Sequence, residues 1–438
     1  MNAEKKLDQN TVGQRMKRYG NVSKAAASTA ARFVSDKAFQ KPPDHDLQAK
    51  LLTTALGQLK GPLMKVAQML ATIPDAIPQE YALEFLSLQA DAPSMGWPFV
   101  KRRMVGELGP DWEKKFQLFP QNAIAAASLG QVHKATALTG EFLACKLQYA
   151  NMESIVEADL NQLKVFLKLY ETFFKALDTQ EVVKEISLRL YEELDYELEA
   201  QNIETFQKIF KGNTRIHIPK VYPDLSTKRL LTMSWLEGKK LKEVLDEPQE
   251  LRNKIAENMF TSWYLPLYQY GIIHGDPHLG NYSFNGDGSI NLLDFGCVRR
   301  FSKTFIAGVL TLYEAMEKGD EAQAVHAYES WGFRGLTKDV VAVLNHWAKL
   351  LYEPILDNRV RPIQKDHSGV SGRETADFVH TELRRLGGVK PPGEFVFMDR
   401  AAVGIGSVCM HLKAELNWYE LFHALIKDFN PQGEFKQP

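Results

Sequence analysis

The stretch 271–296, GIIHGDPHLGNYSFNGDGSINLLDFG, is the densest cluster of functional residue types in this 438-residue chain. Asp276 lies in a loop rich in glycine and proline. Asn281 follows five residues later, and Asp294 comes after two apolar runs separated by Asn285-Gly286-Asp287-Gly288. Asn-Gly and Asp-Gly pairs are typical of hairpin turns. We therefore expect a loop and a hairpin that bring two carboxylates and one amide together.

Phosphoryl transfer uses such a set of side chains. One carboxylate orients or deprotonates the nucleophile, while carboxylate and amide oxygens hold Mg²⁺ against the phosphates. We assign Asp276 to the first role and Asn281 and Asp294 to the second. The alternative is an ordinary loop and hairpin with surface acids, which the kinase-like spacing of the three elements disfavours.

A kinase-like site also needs a lysine on a strand, paired with a glutamate on a helix. Lys146, in the sequence Leu-Ala-Cys-Lys, lies on a predicted strand upstream of the cluster, and its partner is expected in the acidic helix around 192–199. Residues 125–132, AAASLGQV, stand where a glycine-rich phosphate loop is expected, but carry alanines in place of the flexible glycines.

Together these elements resemble the UbiB/ADCK family of atypical, protein-kinase-like ATPases linked to ubiquinone biosynthesis. The motifs that carry the resemblance are AAASLGQV at 125–132, Lys146, the triplet Glu193-Leu194-Asp195 followed by Glu199, HGDPHLGN at 274–281, and Asp-Phe-Gly at 294–296. Residues 61–68, GPLMKVAQ, resemble the Lys-x-Gly-Gln extension of the family. The resemblance spans about residues 50–430.

The resemblance implies a Mg-ATP site. Lys146 would contact the α- and β-phosphates and pair with Glu199, Asp276 would be the catalytic-loop acid, and Asn281 and Asp294 would bind Mg²⁺. The residues implied to surround the nucleotide are Ala125, Ala126, Ala127, Ser128, Val132, Lys146, and Ser234 and Leu236 at the two ends of the hinge. In the N-terminal extension, Lys65 would meet Glu193 of the triplet that ends at Asp195, with Gln68 facing the nucleotide.

Two positions depart from the family pattern. Ala67 replaces the glycine of the extension motif, and Leu279 replaces a proline of the catalytic loop. Alanine favours a helix by about 1 kcal/mol relative to glycine, so the helix is expected to persist. A glycine lets another segment of backbone approach closely because it has no Cβ atom. With alanine at position 67, any such close approach is in doubt.

The sequence also bears on the acceptor of the phosphoryl group. Gly275, not arginine, precedes Asp276, no Ala-Pro-Glu follows Asp-Phe-Gly, and a helical pattern begins just after Ser302. Slow ATP hydrolysis with little or no transfer to proteins in trans is therefore expected. Two other functions stay open: a small-molecule phosphotransferase of the aminoglycoside or choline kinase type, and a nucleotide-gated lipid-binding protein without useful turnover.

Composition narrows the class of protein. The net charge of -1 argues against a nucleic-acid partner, and three separated cysteines argue against a disulfide scaffold or a zinc site. The best apolar run, 401–410, is about half of the ~20 residues that a membrane-spanning helix needs.

The first 40 residues carry eight basic against three acidic side chains. Such a segment is attracted to anionic lipid. We expect a cytoplasmic protein with peripheral membrane association and a quinone-like or lipid ligand.

The expected fold is α+β, a bilobal protein-kinase-like fold with an N-terminal helical extension, a helix-rich C-lobe and ATP between the lobes. The expected divisions are a basic flexible leader (1–40), the extension (41–115), an N-lobe with a helical insertion (116–236) and a helical C-lobe (237–438).

Local patterns add detail to this organisation. Residues 131–149 predict a hairpin that turns at Thr139-Gly140, and 153–211 predict helices. A second pair of strands is predicted at 217–222 and 230–235.

The alanine-rich loop gives the first testable prediction. Replacing Ala127 with glycine should change the affinity or selectivity for ATP and ADP, because it restores the flexible loop of ordinary kinases. Binding of both nucleotides is measured by thermal shift. Affinities identical to those of the parent protein would count against the proposed position of this loop.

Overall fold

The computed structural model describes residues 95–126, 129–173, 179–276, 278–364, 370–387 and 393–438. Two compact units are present. The first runs to Gln201 and includes Val221–Trp235, and the second comprises Asn202–Lys220 and Leu236–Pro438.

Strands and helices both occur throughout the described residues. The strands are β1 (Phe116–Leu118), β2 (Ala125–Ala126), β3 (Gly130–Ala137), β4 (Phe142–Gln148), β5 (Ile216–His217), β6 (Leu230–Ser234), β7 (Ile272–His274), β8 (Tyr282–Phe284), β9 (Ile290–Leu292), β10 (Val298–Arg300), β11 (Arg361–Pro362) and β12 (Glu415–Leu416). The helices are α1 (Trp97–Leu108), α2 (Met152–Phe173), α3 (Thr179–Glu193), α4 (Tyr196–Ile209), α5 (Gln249–Tyr270), α6 (Lys303–Lys318), α7 (Glu321–Ser330), α8 (Lys338–Leu356), α9 (Val370–Arg385), α10 (Gly393–His411) and α11 (Trp418–Ile426).

The first unit is built on an antiparallel sheet in the order β1-β3-β4-β6, with β2 paired to β3. The predicted hairpin is confirmed as β3 and β4, and Gly140 takes a positive φ of 91° in its turn. Along β4, Leu143, Cys145 and Leu147 are buried in a core shared with α1. Because side chains alternate along a strand, Lys146 points to the opposite face of the sheet.

The helices predicted over 153–211 are confirmed as α2, α3 and α4 in the described residues. Of the other two predicted strands, 230–235 is confirmed as β6, whereas only the start of 217–222 forms a strand, β5. Residues 216–217 form β5, which runs parallel to β9, whereas β6 pairs with β4. Only the bridge between Val221 and Met233 joins the two predicted runs. Pro219 and Pro223 explain the difference, because proline cannot donate a hydrogen bond to a ladder.

The second unit contains the motif cluster. Helix α5 ends at Gly271, which has a positive φ of 68°. The chain continues through β7 and the loop with Asp276 to the predicted hairpin, confirmed as β8 and β9. Strand β10 pairs with β7, and the Ser302 side chain caps α6 by accepting a hydrogen bond from Phe305 N.

The C-terminal segment returns to the end of α5. Lys436 N donates to Gln269 O at 3.0 Å, and Lys303 Nζ donates to Glu434 O at 2.9 Å. The ring of Phe435 fills the space that a Cβ atom at Gly271 would need. Gly271 is therefore required both for its backbone conformation and for the ring packed on it.

Within the described residues, no helix is long and apolar enough to cross a membrane.

A comparison of two glycines tests the packing of the C-terminal segment. Gly319 ends α6 with a φ of 67° and has open space where a Cβ atom would lie, so Gly319→Ala reports the left-handed strain alone, about 1–2 kcal/mol. Gly271→Ala adds a collision with Phe435, and we expect a total loss of about 3 kcal/mol or more in the free energy of unfolding.

Urea unfolding measures both variants. In the Gly271→Ala background, Phe435→Ala should recover part of the loss. Equal losses for the two glycine variants would contradict the packing of Phe435 on Gly271.

Candidate functional site

A buried ion pair joins β4 to α4 in the first unit. Lys146 Nζ lies 2.8 Å from each carboxylate oxygen of Glu199. The Glu199 side chain is 2% exposed and that of Lys146 is 18% exposed. Charges held at this depth are screened less than surface charges, so their attraction is strong. The ion pair predicted from the sequence is present.

The start of α4 is built around Lys146. The Asp195 carboxylate accepts a hydrogen bond from Leu198 N at 3.0 Å, which caps the helix that carries Glu199. The ring centroid of Tyr196 lies 5.2 Å from Lys146 Nζ, within the range of a cation–π interaction. Asp195, which the sequence placed in the extension motif, thus helps to position the partner of Lys146.

The alanine-rich loop begins as strand β2. Ala125 and Ala126 pair with Val132 and Gln131, and Val132 lies opposite Lys146 in the β3–β4 register. Ala127 and Ser128 lie outside the described residues, as do Lys65 and Gln68. The nucleotide-binding roles of these residues stay predictions.

Gly130, at the end of this loop, packs too closely for a side chain. A Cβ atom there would lie 2.7 Å from Leu147 O and 2.8 Å from the hydroxyl of Tyr196. Such distances leave no space for even a methyl group. Gly130 therefore allows β3, β4 and the start of α4 to meet beside Lys146.

The predicted hinge follows β6. Strand β6 pairs with β4 up to Ser234, and Trp235 N extends this ladder by donating to Phe142 O at 2.9 Å. Lys134 Nζ lies 4.6 Å from the ring centroid of Phe142 and 4.7 Å from that of Trp235. Leu236 is the first residue of the second unit after this point. The contact of Ser234 and Leu236 with adenine stays a prediction.

In the second unit, the Asp276 carboxylate is fixed by its own loop. One oxygen accepts a hydrogen bond from Asn281 Nδ2 at 2.9 Å, and the other accepts one from His278 N at 3.2 Å. Tyr282 donates its hydroxyl proton to Asp276 O at 3.2 Å. Burial raises the pKa of the Tyr282 phenol well above its usual value, and the Asp276 charge raises it further. The phenol therefore stays a neutral donor.

Asp294 is held next to this loop. Leu293 N donates to Asn281 O at 2.9 Å, so Asn281 and Asp294 are carried by adjacent ends of the β8–β9 hairpin. One Asp294 oxygen accepts from Gly296 N at 3.0 Å. The Nε2 atom of the buried His274 donates to Asp294 O, and His278 accepts from Gly280 N at 3.1 Å. Both histidines stabilise the loop by hydrogen bonds.

Phe295 anchors the Asp-Phe-Gly segment in the core. It is fully buried, with its ring centroid 5.1 Å from that of Phe206 and 5.5 Å from that of His274. Asn202 Nδ2 donates to Phe295 O at 3.0 Å. The backbone on both sides of Asp294 is therefore tied to buried groups, which limits the movement of its carboxylate.

The residue before Asp276 is glycine for a structural reason. Gly275 N donates to Cys297 O at 2.6 Å, and a Cβ atom at Gly275 would lie 2.8 Å from Cys297 Sγ. The long side chain that protein kinases place here would collide with the segment after Asp-Phe-Gly. In the first unit, burial raises the pKa of the Cys145 thiol to about 12, so Cys145 is a core residue rather than a nucleophile.

The donor set of the loop suits magnesium. Asn281 Nδ2 donates to Asp276, which leaves Oδ1 as the amide atom able to act as a metal ligand. With the Asp294 carboxylate, it supplies only oxygen ligands, which Mg²⁺ prefers. Across the described ranges, no group of three or more His, Cys, Asp and Glu side chains could hold a metal ion. An ion at Asn281 and Asp294 would complete its shell with phosphate and water oxygens.

Three residues of this arrangement were not predicted. Gly130, Tyr196 and Gly275 act through close packing with residues distant in sequence, and such contacts leave no local pattern. The only signal was Gly275 itself, which the sequence marked as a missing arginine and not as a required glycine.

A family model described as the ABC1 atypical kinase-like domain matches residues 87–328, more than half of the chain. The chain belongs to this family. The resemblance to UbiB/ADCK proteins is thereby confirmed, and the chain is a kinase-like enzyme of that family.

Curated relatives agree with this assignment. The "Atypical kinase COQ8, mitochondrial" of Saccharomyces cerevisiae is 28% identical over 423 residues, which cover 94% of this chain and 84% of the yeast protein. The chloroplastic "Protein ACTIVITY OF BC1 COMPLEX KINASE 1" of Arabidopsis thaliana is 29% identical over 403 residues, 88% of this chain and 57% of the plant protein. The chain thus spans little more than half of the plant relative.

A solved structure shows the same fold. It is described as the complex of Rv3197 with erythromycin from Mycobacterium tuberculosis, and it has 27% sequence identity and a TM-score of 0.63. The match covers 91% of this chain and 98% of that one. The predicted kinase-like α+β fold is confirmed.

The ion pair of this family member gives a prediction of stability. Glu199→Gln keeps the size of the side chain but removes its charge, which leaves the Lys146 ammonium in a poorly solvated position. We expect a loss of about 2–4 kcal/mol in the free energy of unfolding, because removing one partner of a buried pair is strongly destabilising.

The matched control is Glu250→Gln. Glu250 pairs with Lys254 at 2.8 Å, but the two side chains are 82% and 54% exposed, so the variant should unfold almost as the parent does. Both variants are measured by urea unfolding. A Glu199→Gln loss no larger than that of the control would contradict a stabilising role for the pair.

Proposed function

We propose that this protein is a Mg-ATP-dependent atypical kinase-like ATPase that supports the synthesis of quinone lipids, ubiquinone among them. The observation that carries the proposal is the Asp276 loop, in which the carboxylate accepts a hydrogen bond from Asn281 while the hairpin carries Asp294 beside it. Two carboxylates and an amide, carried by this loop and the hairpin that follows it, suit phosphoryl transfer, where positioning and charge provide most of the catalysis.

Each side chain has a role in this proposal. Lys146, oriented by Glu199, binds the α- and β-phosphates of ATP. Asn281 and Asp294 hold Mg²⁺, which neutralises charge as the terminal phosphate leaves. Asp276 orients the attacking nucleophile, which is water in the ATPase reaction. Ala125, Ala126, Ala127, Ser128, Val132, Ser234 and Leu236 surround the rest of the nucleotide.

The segment after Asp294 supports the proposal that phosphoryl transfer to proteins is weak. Gly275 leaves no space for the arginine that reads activation-loop phosphorylation, and α6 begins at Lys303, only a few residues beyond Asp-Phe-Gly. The chain therefore offers no long activation segment as a platform for a peptide. We further propose that Lys65 and Gln68, with Glu193 and Asp195, restrict access for acceptors.

The proposed link to quinone lipids comes from the family. The resemblance links the chain to ubiquinone biosynthesis, whose product is lipid-soluble, so we propose that the protein reaches a membrane surface. The eight basic side chains of the first 40 residues supply attraction to anionic lipid. We propose peripheral, salt-sensitive association with a membrane and a quinone-like or lipid ligand.

ATP turnover by the purified protein, with and without anionic liposomes or a quinone-like phenol, tests the proposal. Asp294→Asn should reduce hydrolysis at least about 100-fold, because one charged Mg²⁺ ligand is lost.

The matched control is Asp287→Asn in the turn of the same hairpin. The Asp287 carboxylate accepts hydrogen bonds from Ser289 N and Oγ, so this change affects the hairpin without touching a proposed ligand. Hydrolysis in the control should stay within about threefold of the parent. Turnover unchanged by Asp294→Asn would refute the proposed reaction.

A further inference from the structure

A polar side chain interrupts the apolar strand before Asp-Phe-Gly. Asn291 lies in β9 between Ile290 and Leu292, and all three residues are buried, Asn291 with only 1% of its surface exposed. Burying an amide is unfavourable unless its hydrogen bonds are made. The role of Asn291 can therefore be read from its partners.

All hydrogen-bonding atoms of the Asn291 amide have partners. Nδ2 donates to Glu237 O at 2.7 Å and to Ser283 Oγ at 2.8 Å. Oδ1 lies 3.0 Å from His217 Nδ1 and accepts from Asn285 Nδ2 at 3.3 Å. An amide has two donor hydrogens and two acceptor lone pairs, so this set uses its full capacity. One side chain thus joins β5, the β8–β9 hairpin and the segment at Glu237.

Gly238 lies beside these hydrogen bonds and has no space for a side chain. A Cβ atom at Gly238 would lie 2.5 Å from Ser283 Oγ and 2.8 Å from Asn291 Nδ2. Lys239 and Phe284 then exchange two backbone hydrogen bonds of 2.8 and 2.9 Å. Residues 237–239, which follow the predicted hinge, therefore pack directly against the β8–β9 hairpin.

The two segments joined by Asn291 carry different parts of the proposed site. The hairpin carries Asn281 at one end and Asp294 at the other, and Leu293 N donates to Asn281 O at 2.9 Å. The segment at Glu237 directly follows Leu236, the predicted contact of adenine.

We infer that Asn291 is a positioning residue for the metal ligands, which fixes the hairpin that carries Asn281 and Asp294 against the segment 236–239. The inference rests on the proposed function for its effect on catalysis. Asn291 touches no reacting atom and acts only through the backbone of these two segments.

The test variant is Asn291→Leu, which has a similar volume and no hydrogen-bonding atoms. Ser289→Ala is the matched control, since Ser289 is also buried in the hairpin and bonds to Asp287 and Asn285 but not to Glu237. If Asn291→Leu does not fold, Ser283→Ala removes one partner of Nδ2 and keeps Glu237 O.

Hydrogen exchange of the nucleotide-free protein gives the first measurement. Asn291→Leu should accelerate exchange about tenfold or more in both 236–240 and 290–294, because the tie between them is lost, whereas Ser289→Ala should affect only 285–290. Ser283→Ala should affect the same two segments by a smaller factor. Exchange confined to 288–292 in Asn291→Leu, or a pattern equal to the control, would overturn the inference.

Mg²⁺ dependence gives the second measurement. Asn291→Leu should raise the Mg²⁺ concentration for half-maximal ATP hydrolysis about tenfold, and saturating Mg²⁺ should bring kcat within about threefold of the parent. If the Mg²⁺ concentration for half-maximal hydrolysis equals that of Ser289→Ala, the positioning role of Asn291 is contradicted. The proposed function is unaffected by that result. A parent protein without ATP turnover would defeat the proposed function, and hydrogen exchange would still decide the role of Asn291.

Discussion

The burial of the Lys146 ammonium is the constraint on which the first unit depends. A cation held in a sheet against the start of a helix must be neutralised within a few ångströms, and Glu199 does this with both of its oxygens at 2.8 Å. Glu199 can reach that place only if α4 begins beside the sheet. Asp195 fixes this beginning by capping the helix, and Gly130 allows the sheet to approach Tyr196. The ion pair therefore accounts for an acid, an aromatic ring and a glycine that would otherwise look unrelated.

In the second unit, the constraint is the placement of two acids, Asp276 on its loop and Asp294 at the end of the hairpin that follows. Asp276 receives hydrogen bonds from Asn281 and from the backbone of His278, and these distribute its charge within the loop. The Asp294 backbone is tied to His274, and Phe295 beyond it is buried against Phe206. The backbone around Asp294 is thus held by contacts that lie outside the polar cluster. A cation bound at Asn281 and Asp294 would add its attraction for the Asp294 carboxylate to these contacts.

Family membership gives these arrangements a chemical meaning, and the local structure shows where this chain differs from a protein kinase. The contact between Gly275 and Cys297 leaves no space for an arginine before Asp276. The backbone geometry at this position therefore requires glycine. The early start of α6 shortens the segment after Asp-Phe-Gly. In the proposed function, both features reduce the surface on which a protein acceptor could lie.

The sequence by itself determined the order of the motifs, the β3–β4 and β8–β9 hairpins, the three helices over 153–211 and the pairing of Lys146 with Glu199. The hairpins and helices follow from local periodicity and turn residues, whereas the pairing of Lys146 with Glu199 is what the resemblance to UbiB/ADCK proteins implies. The sequence did not determine where the strand at 217–222 ends, which Pro219 and Pro223 limit, or that this strand runs parallel to β9. Nor could it show why Gly130 and Gly275 must be glycines, or that Asn291 joins three segments. Those facts depend on close contacts between residues far apart in the chain, and only the tertiary structure decides which residues meet.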